Sequence, residues 1–313
     1  MRILVHEHVT GGGLAGEVAP ASLAREGLLM REALVADLEA IPGVEVWVTT
    51  DPRFPESVGA CRHAVPLTAG DFDRALTEAL ARVDAVWLVA PETGGVLERL
   101  TRHAEATRCA LLGAGSAAVR VLTSKRETAA LCALAGIACV PCVDGRVPFE
   151  DERRWVVKPD DGCGCLDTFV FEEFDDAWKA WQCDTAGLVL QPFVEGEPAS
   201  LSIVTDGRDT RVLSVNRQHV VEVAGQLRFD GVSVAVFDDP DGALADMACR
   251  VVRAVPGLRG FFGIDLVFAS AGPLLLEVNP RPTTAYAGLR ERTGVNPAQW
   301  ILTRRTRIER SLA

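Results

Sequence analysis

No apolar stretch of the chain reaches the length a membrane-spanning helix needs, so a membrane protein is not expected. The opening Met1-Arg-Ile-Leu-Val runs directly into a strand pattern rather than a signal peptide, which points to the cytoplasm. No long Lys/Arg cluster offsets the formal net charge of −11, and this argues against a nucleic-acid-binding surface. The short run Arg304-Arg305-Thr-Arg307 reads as a solvated helix face. Internal repeats, low-complexity segments and a biotin-carrier segment are all missing. Also missing is a disulfide framework: the nine cysteines are scattered along the chain. Cys139-Val-Pro-Cys142 has redox or zinc spacing, and Cys163-Gly-Cys165 would complete a four-sulfur site. The second pair falls inside a glycine loop suited to another purpose, so free thiols in a reducing compartment are the expected state.

What is present suits a globular protein of 313 residues with 48% hydrophobic content, enough for two or three compact units. Residues 2–9 read as a strand, and 23–40 as an amphipathic helix with Met30, Leu34 and Leu38 at four-residue spacing. Strands over 44–48 and 83–90, with helices near 71–82 and 94–108, imply an open α/β sheet ending near Gly113. A small central unit over 116–187 and a C-terminal unit over 188–313 follow, with 1–115 as the N-terminal unit.

The chemistry concentrates late in the chain. Gly263-Ile-Asp265-Leu-Val-Phe and Leu274-Leu-Leu-Glu277-Val-Asn279-Pro-Arg281 flank a turn marked by Gly272-Pro273, which predicts an antiparallel hairpin. With the turn centred near Ala271, Asp265 faces Glu277 and Asn279 shares their face. Two carboxylates and an amide oxygen are ligands for a hard cation, Mg2+ or Mn2+. Arg281, just beyond, suits an anionic substrate.

Phosphate-binding features lie upstream. Trp155-Val-Val-Lys158 reads as a strand ending on a lysine, followed by a loop with Gly162 and Gly164, whose backbone can approach phosphate oxygens. Ser124-Lys125-Arg126-Glu127 has capping-box spacing and starts a helix to about Ala135, which sets Lys125 in an anion-favouring first turn. Leu188-Val-Leu-Gln191-Pro-Phe193-Val194-Glu195-Gly-Glu197 reads as a buried strand leaving through a polar hinge, with backbone groups able to hold a purine.

A rival reading rests on Gly11-Gly12-Gly13-Leu-Ala-Gly16, which matches a dinucleotide-binding fingerprint after a strand. The strand over 44–48 ends near Asp51, about twice the usual interval of ~20 residues, so the required acidic residue is out of place. A glycine loop that lets a small substrate approach the backbone is the expected alternative. A dinucleotide-binding oxidoreductase and a non-catalytic nucleotide sensor remain the competing functional classes; the sensor would lack the metal triad.

The ordered set of segments over about 115–286 resembles the ATP-grasp superfamily of ligases. The resemblance implies an N-terminal open α/β domain, a small central lid and a C-terminal α+β domain with the metal site. Lys125 and Lys158 would contact ATP phosphates under the 160–165 loop, and backbone at 191–194 would hold adenine. Asp265, Glu277 and Asn279 would bind the metal, while Arg281, with Lys158, would stabilise the transferred phosphoryl group. The ribose-binding glutamate would be Glu195 or Glu197. Two departures stand out: Gln191 occupies a position often acidic, and Phe262-Gly263-Ile264 stands where some ligases carry an arginine.

Shorter motifs, His6-Glu7-His8-Val-Thr-Gly-Gly-Gly13, Val89-Ala-Pro-Glu92-Thr93, Pro198-Ala-Ser200-Leu-Ser202 and Asn216-Arg217-Gln218, resemble a subgroup that joins glutamate to tyramine in methanofuran-type cofactor biosynthesis. Glu92 and Arg217, with the glycine run, become candidate substrate contacts. His6 and His8 read as satisfied residues near a sheet end rather than a metal pair. Small-molecule acid and amine substrates are the implied partners, with a homodimer left open.

Overall fold

The computed structural model describes residues 1–54, 63–143, 145 and 154–312, side chains after 304 excepted. The chain opens with β1 (Arg2–Glu7), α1 (Ala21–Glu39), β2 (Glu45–Thr50), β3 (His63–Pro66), α2 (Phe72–Leu80), β4 (Ala85–Val89), α3 (Val96–Glu105) and β5 (Ala110–Leu111). The five strands form a parallel sheet in the order β3-β2-β1-β4-β5. Ala85–Val89 is buried throughout, as a central parallel strand covered on both faces must be. β1 stops two residues earlier than its apolar pattern suggests. Glu7 turns its carboxylate back to accept the Val9 and Thr10 amides, at 3.0 and 2.7 Å, and so bends the chain out of the sheet. The helix expected from residue 94 starts at Val96 because Gly94 and Gly95 both take left-handed conformations, φ +64° and +66°.

Next come α4 (Ser116–Thr123), α5 (Lys125–Leu134), β6 (Trp155–Pro159), β7 (Phe169–Phe171), α6 (Phe174–Gln182) and β8 (Leu188–Pro192). The chain continues with β9 (Glu197–Thr205), β10 (Thr210–Val223), β11 (Gln226–Phe237), α7 (Ala243–Ala254), β12 (Gly260–Ala269), β13 (Gly272–Asn279), α8 (Tyr286–Thr293) and α9 (Pro297–Leu312). The second sheet has eight strands in the order β13-β12-β9-β10-β11-β7-β6-β8. Its pairs are antiparallel, and β11 meets β7 through the single Gln226–Phe169 register pair. Around β6 and β8 a small core gathers Trp155, Val157, Ala177, Trp181 and Leu190.

One apolar core runs from the first sheet into the second: Leu4, Val86 and Leu97 share a buried cluster with Val119, Val251 and Phe262. Tyr286 adds a polar tie, its hydroxyl donating to Asp37 of α1 at 3.0 Å. Both sheets therefore share one core. No helix among the described residues is long and apolar enough to cross a membrane.

Candidate active site

Hairpin β12–β13 forms with the register the turn predicts. Ala269 pairs with Gly272 across the Ser270-Ala271 turn, Asp265 with Glu277, and Gly263 with Asn279. A register shift between Asp265 and Leu266 leaves Leu276 as the extra residue, and its side chain lines the adjoining cavity. Asp265 lies in mid-strand and is only part-exposed, not at a solvent-facing strand end. Its Oδ2 accepts from Asn279 Nδ2 at 3.1 Å and its Oδ1 from Gln218 Nε2 at 2.9 Å. Burial, then the neighbouring Glu277 carboxylate, push the Asp265 carboxyl well above its usual range. Two facing carboxylates with an amide beside them thus place oxygen ligands together on one face of the hairpin. The donor set fits a hard divalent cation.

Both lysines reach this hairpin. Lys125 is buried at the start of α5, where Ser124 Oγ caps the Glu127 amide at 3.0 Å. Its ammonium lies 3.0 Å from Glu277 Oε2 and donates to the Gly162 carbonyl at 2.5 Å. Burial opposes its charge, but Glu277 outweighs burial and holds the Lys125 pKa above the ordinary value. Reciprocally, although burial works the other way, Lys125 and Lys158 bring Glu277 down to about 2. Burial and then Lys125 lower the Lys158 pKa, so a polyanion between the two ammonium groups would relieve both.

Asp160, which the sequence did not single out, ties helix and loop together. Its carboxylate accepts from Ser124 Oγ at 2.7 Å and the Arg126 amide at 2.9 Å, while its carbonyl accepts the Lys125 amide at 3.1 Å. The next residue, Asp161, receives the Gly94 amide at 2.8 Å and, on its carbonyl, the Thr93 hydroxyl at 3.1 Å.

A cavity of about 350 Å3 opens beside these groups. Lys125, Lys158, Gly162, Gln191, Phe193, Val194, Asp265 and Glu277 line it, so most of the expected nucleotide and metal residues converge. Gly164 has φ +63° and is not part of the lining. Gln191 spends its amide on the Val140 carbonyl at 3.2 Å and Cys142 Sγ at 3.5 Å. The Phe193 amide is used within the sheet, bonding Arg154 O at 2.8 Å, and Arg154 also lies over the Phe193 ring. Neither candidate ribose residue lines the cavity: Glu195 pairs with Arg154 and Glu197 with Arg217. The carboxylate on that wall is Glu222, three residues before the β10–β11 turn closes.

Three substrate-side expectations need correction. Arg217 is not on the cavity; it pairs with Glu197 and lies over Phe237. Its neighbour Gln218 takes the inward face instead, since successive strand residues point to opposite sides. The Gly11-Gly12-Gly13 run does not leave backbone open to a substrate. A Cβ at Gly11 would lie 2.4 Å from Thr49 Oγ1, at Gly12 2.5 Å from Leu67 Cβ, and at Gly13 2.0 Å from His8 Nδ1. The protein itself fills the space the glycines spare. His6 and His8 are both buried, and only one expected contact forms, His6 Nδ1 to Thr49 Oγ1 at 2.9 Å. His6 Nε2 and His8 Nδ1 have no partner.

Glu92 and Arg281 do come together. Arg281 Nε and Nη2 both donate to Glu92 Oε2, at 3.1 and 2.9 Å. Despite burial, Glu92 keeps the guanidinium firmly protonated. Asn279 is not in the lining but is fixed on Asp265, one register step from it. The eight described cysteines are all free thiols, and Cys165 in the lining is pushed up to about 12 by burial and Glu277.

An ATP-grasp domain model matches residues 122–285, and a pre ATP-grasp 3 domain model matches 44–119. Tyramine–L-glutamate ligase of Methanocaldococcus jannaschii is 28% identical over 208 residues. That match covers 66% of this chain and 59% of the relative, so it spans somewhat more than half of the relative's length. The crystal structure of an ATP-grasp superfamily protein from Archaeoglobus fulgidus superposes with a TM-score of 0.73 at 25% identity, covering 97% of this chain and 88% of that one. D-alanine–D-alanine ligase of Bacillus anthracis, crystallised with ATP, gives 0.64 at 17% identity over 100% of both chains, a likeness of fold. Two paired lysines, a glycine loop and a facing carboxylate pair around one cavity, together with a domain match over more than half of the sequence, lead to one conclusion: the chain belongs to the ATP-grasp family.

Proposed function

We propose that the chain is an ATP-dependent carboxylate–amine ligase. The observation that carries this reading is the convergence of Lys125, Lys158, Asp265 and Glu277 on one cavity, with Arg281 at its margin. Lys125 and Lys158 hold the nucleotide phosphates, and the loop with Gly162 covers them. Asp265, Glu277 and Asn279 would hold a divalent metal, Mg2+ or Mn2+, which would supply positive charge against the charge that develops during transfer. Arg281 steadies the oxygens of the phosphoryl group during transfer to a substrate carboxylate. The resulting acylphosphate is then attacked by an amine, giving an amide, phosphate and ADP.

Likeness to a tyramine–L-glutamate ligase supports glutamate as the acid and tyramine, tyrosine or a related aromatic amine as the acceptor, in methanofuran-type cofactor biosynthesis. The small unit over 116–187 acts as the lid in this reading. ADP release against a panel of acids and amines, with product masses, tests it. With 18O-labelled glutamate, label in the released phosphate together with a γ-glutamyl amide is expected. Unlabelled phosphate accompanying amide would exclude the acylphosphate route, and labelled phosphate with a different acid would refute only the substrate.

A further inference from the structure

Glu92 joins the end of the first sheet to Arg281, while the residues after it meet the loop that carries Gly162. It follows β4 by three residues, and the next two, Thr93 and Gly94, are tied to Asp161 of the phosphate loop. Its side chain is 6% exposed. An arginine that pairs with a carboxylate by its planar fork commonly uses both oxygens. Here one oxygen, Oε2, takes both guanidinium N–H groups, and Oε1 is left buried with no hydrogen-bond partner.

The nearby cations do not supply the missing donor. Arg281 Nη1 is spent on the Pro282 carbonyl at 3.1 Å. Lys125, whose charge Glu92 helps to favour, is engaged by Glu277 and the Gly162 carbonyl. A desolvated carboxylate oxygen is unfavourable until a donor reaches it, and a cationic donor gains most. The oxygen also belongs to the residue that grips Arg281, the group placed at the transferring phosphoryl.

We propose that Glu92 Oε1 receives the ammonium of the amine substrate and takes its proton as the amide forms; this rests on the ligase reading above. The step balances. One ammonium proton passes to Glu92, and the freed nitrogen lone pair attacks the acyl carbon of the acylphosphate. The C–N bond forms and the C–O bond to phosphate breaks, its electron pair leaving on the phosphate oxygen. A second nitrogen proton goes to that phosphate, and the amide keeps the third.

Two nucleophiles separate this role from a purely structural hold on Arg281. Hydroxylamine is uncharged at neutral pH and traps acylphosphates without an ammonium-binding group; tyramine arrives protonated. With one acid, hydroxamate and amide rates are measured for the wild type, Glu92→Gln and Glu92→Asp. The expected result for Glu92→Gln is a ratio of amide to hydroxamate at least about thirtyfold below wild type, with a raised KM for tyramine. Glu92→Asp, which keeps the carboxylate, should restore at least a tenth of the wild-type ratio, and it serves as the reporting variant if Glu92→Gln does not fold. Equal loss of both products or an unchanged ratio in folded Glu92→Gln, or a ratio below about a tenth of wild type in folded Glu92→Asp, would overturn the proposal. A wild-type enzyme that yields neither ADP nor hydroxamate with any acid would overturn the ligase reading itself, and this one with it.

Discussion

Lys125, which is buried, and Glu277, which is half-buried, form an ion pair, Nζ to Oε2 3.0 Å, that joins the first turn of α5 to the β12–β13 hairpin. Each holds the other charged against burial. Incoming phosphates and a metal ion would meet a lysine and a carboxylate already aligned, so little reorganisation is needed when nucleotide binds.

Removing the metal-side carboxylates should stop turnover without unfolding the protein. Asp265→Asn and Glu277→Gln keep shape but lose charge, Asp265→Asn also losing one of its two accepted hydrogen bonds, and kcat should fall on the order of 100-fold or more. ADP release checked beside a thermal melt is the measurement. Chelation with EDTA should have the same effect and reverse with added Mg2+. Turnover within a few-fold of wild type in both variants would sink the assignment.

Lys125→Ala and Lys158→Ala should each weaken nucleotide binding. Loss of one charge-assisted contact to phosphate corresponds to about tenfold, ~1.4 kcal/mol. Isothermal titration with a non-hydrolysable ATP analogue reads it directly. Unchanged affinity in both, or tighter binding of NAD than of ATP, would point instead to a dinucleotide site.

Acid should destabilise the protein through its buried histidines. Burial holds His8 at about 4 against an ordinary 6.5, so the unfolded chain takes up its proton first. The contribution is complete above about pH 6.5 and is lost as pH falls toward about 4; His6 shifts in the same direction. Between about pH 7 and about pH 5, wild type should lose on the order of 2 kcal/mol more than His8→Phe. Denaturant unfolding at both pH values decides it: parallel losses would show that His8 is not responsible.

Glycine to alanine in the 11–13 run should cost stability rather than substrate affinity. At Gly13 the new methyl meets the His8 ring, and at Gly12 it meets Leu67 from a backbone with φ +96°. Overpacking of this kind costs about 1–3 kcal/mol, more where a positive φ adds strain. A drop in melting temperature with KM unchanged in the residual folded enzyme is expected. A raised KM at wild-type stability would return the run to the substrate site.

The parts of the site that were legible in the sequence are those fixed by local signals. Gly272-Pro273 and the flanking apolar runs set the Asp265–Glu277 register, and Ser124 with Glu127 set the start of α5. Gln218 was not legible because which face it takes depends on irregular pairing around it, with a register shift between Gln218 and Val220. The Glu92–Arg281 contact joins different sheets, and no periodicity encodes such a pairing. Strand His63–Pro66 escaped notice for another reason: largely exposed and ending in proline, it lacks the alternation that marks a half-buried strand. The glycine run misled because a fingerprint read as open backbone is equally what close packing requires.

The threefold grip of Asp160 on Ser124, Lys125 and Arg126 has a mechanical meaning. Because the loop after β6 is fastened to the head of α5, the phosphate loop cannot peel back like a free flap. Helix and loop thus form one piece, held to the hairpin by the Lys125–Glu277 ion pair and to the first unit by the bonds from Gly94 and Thr93 to Asp161.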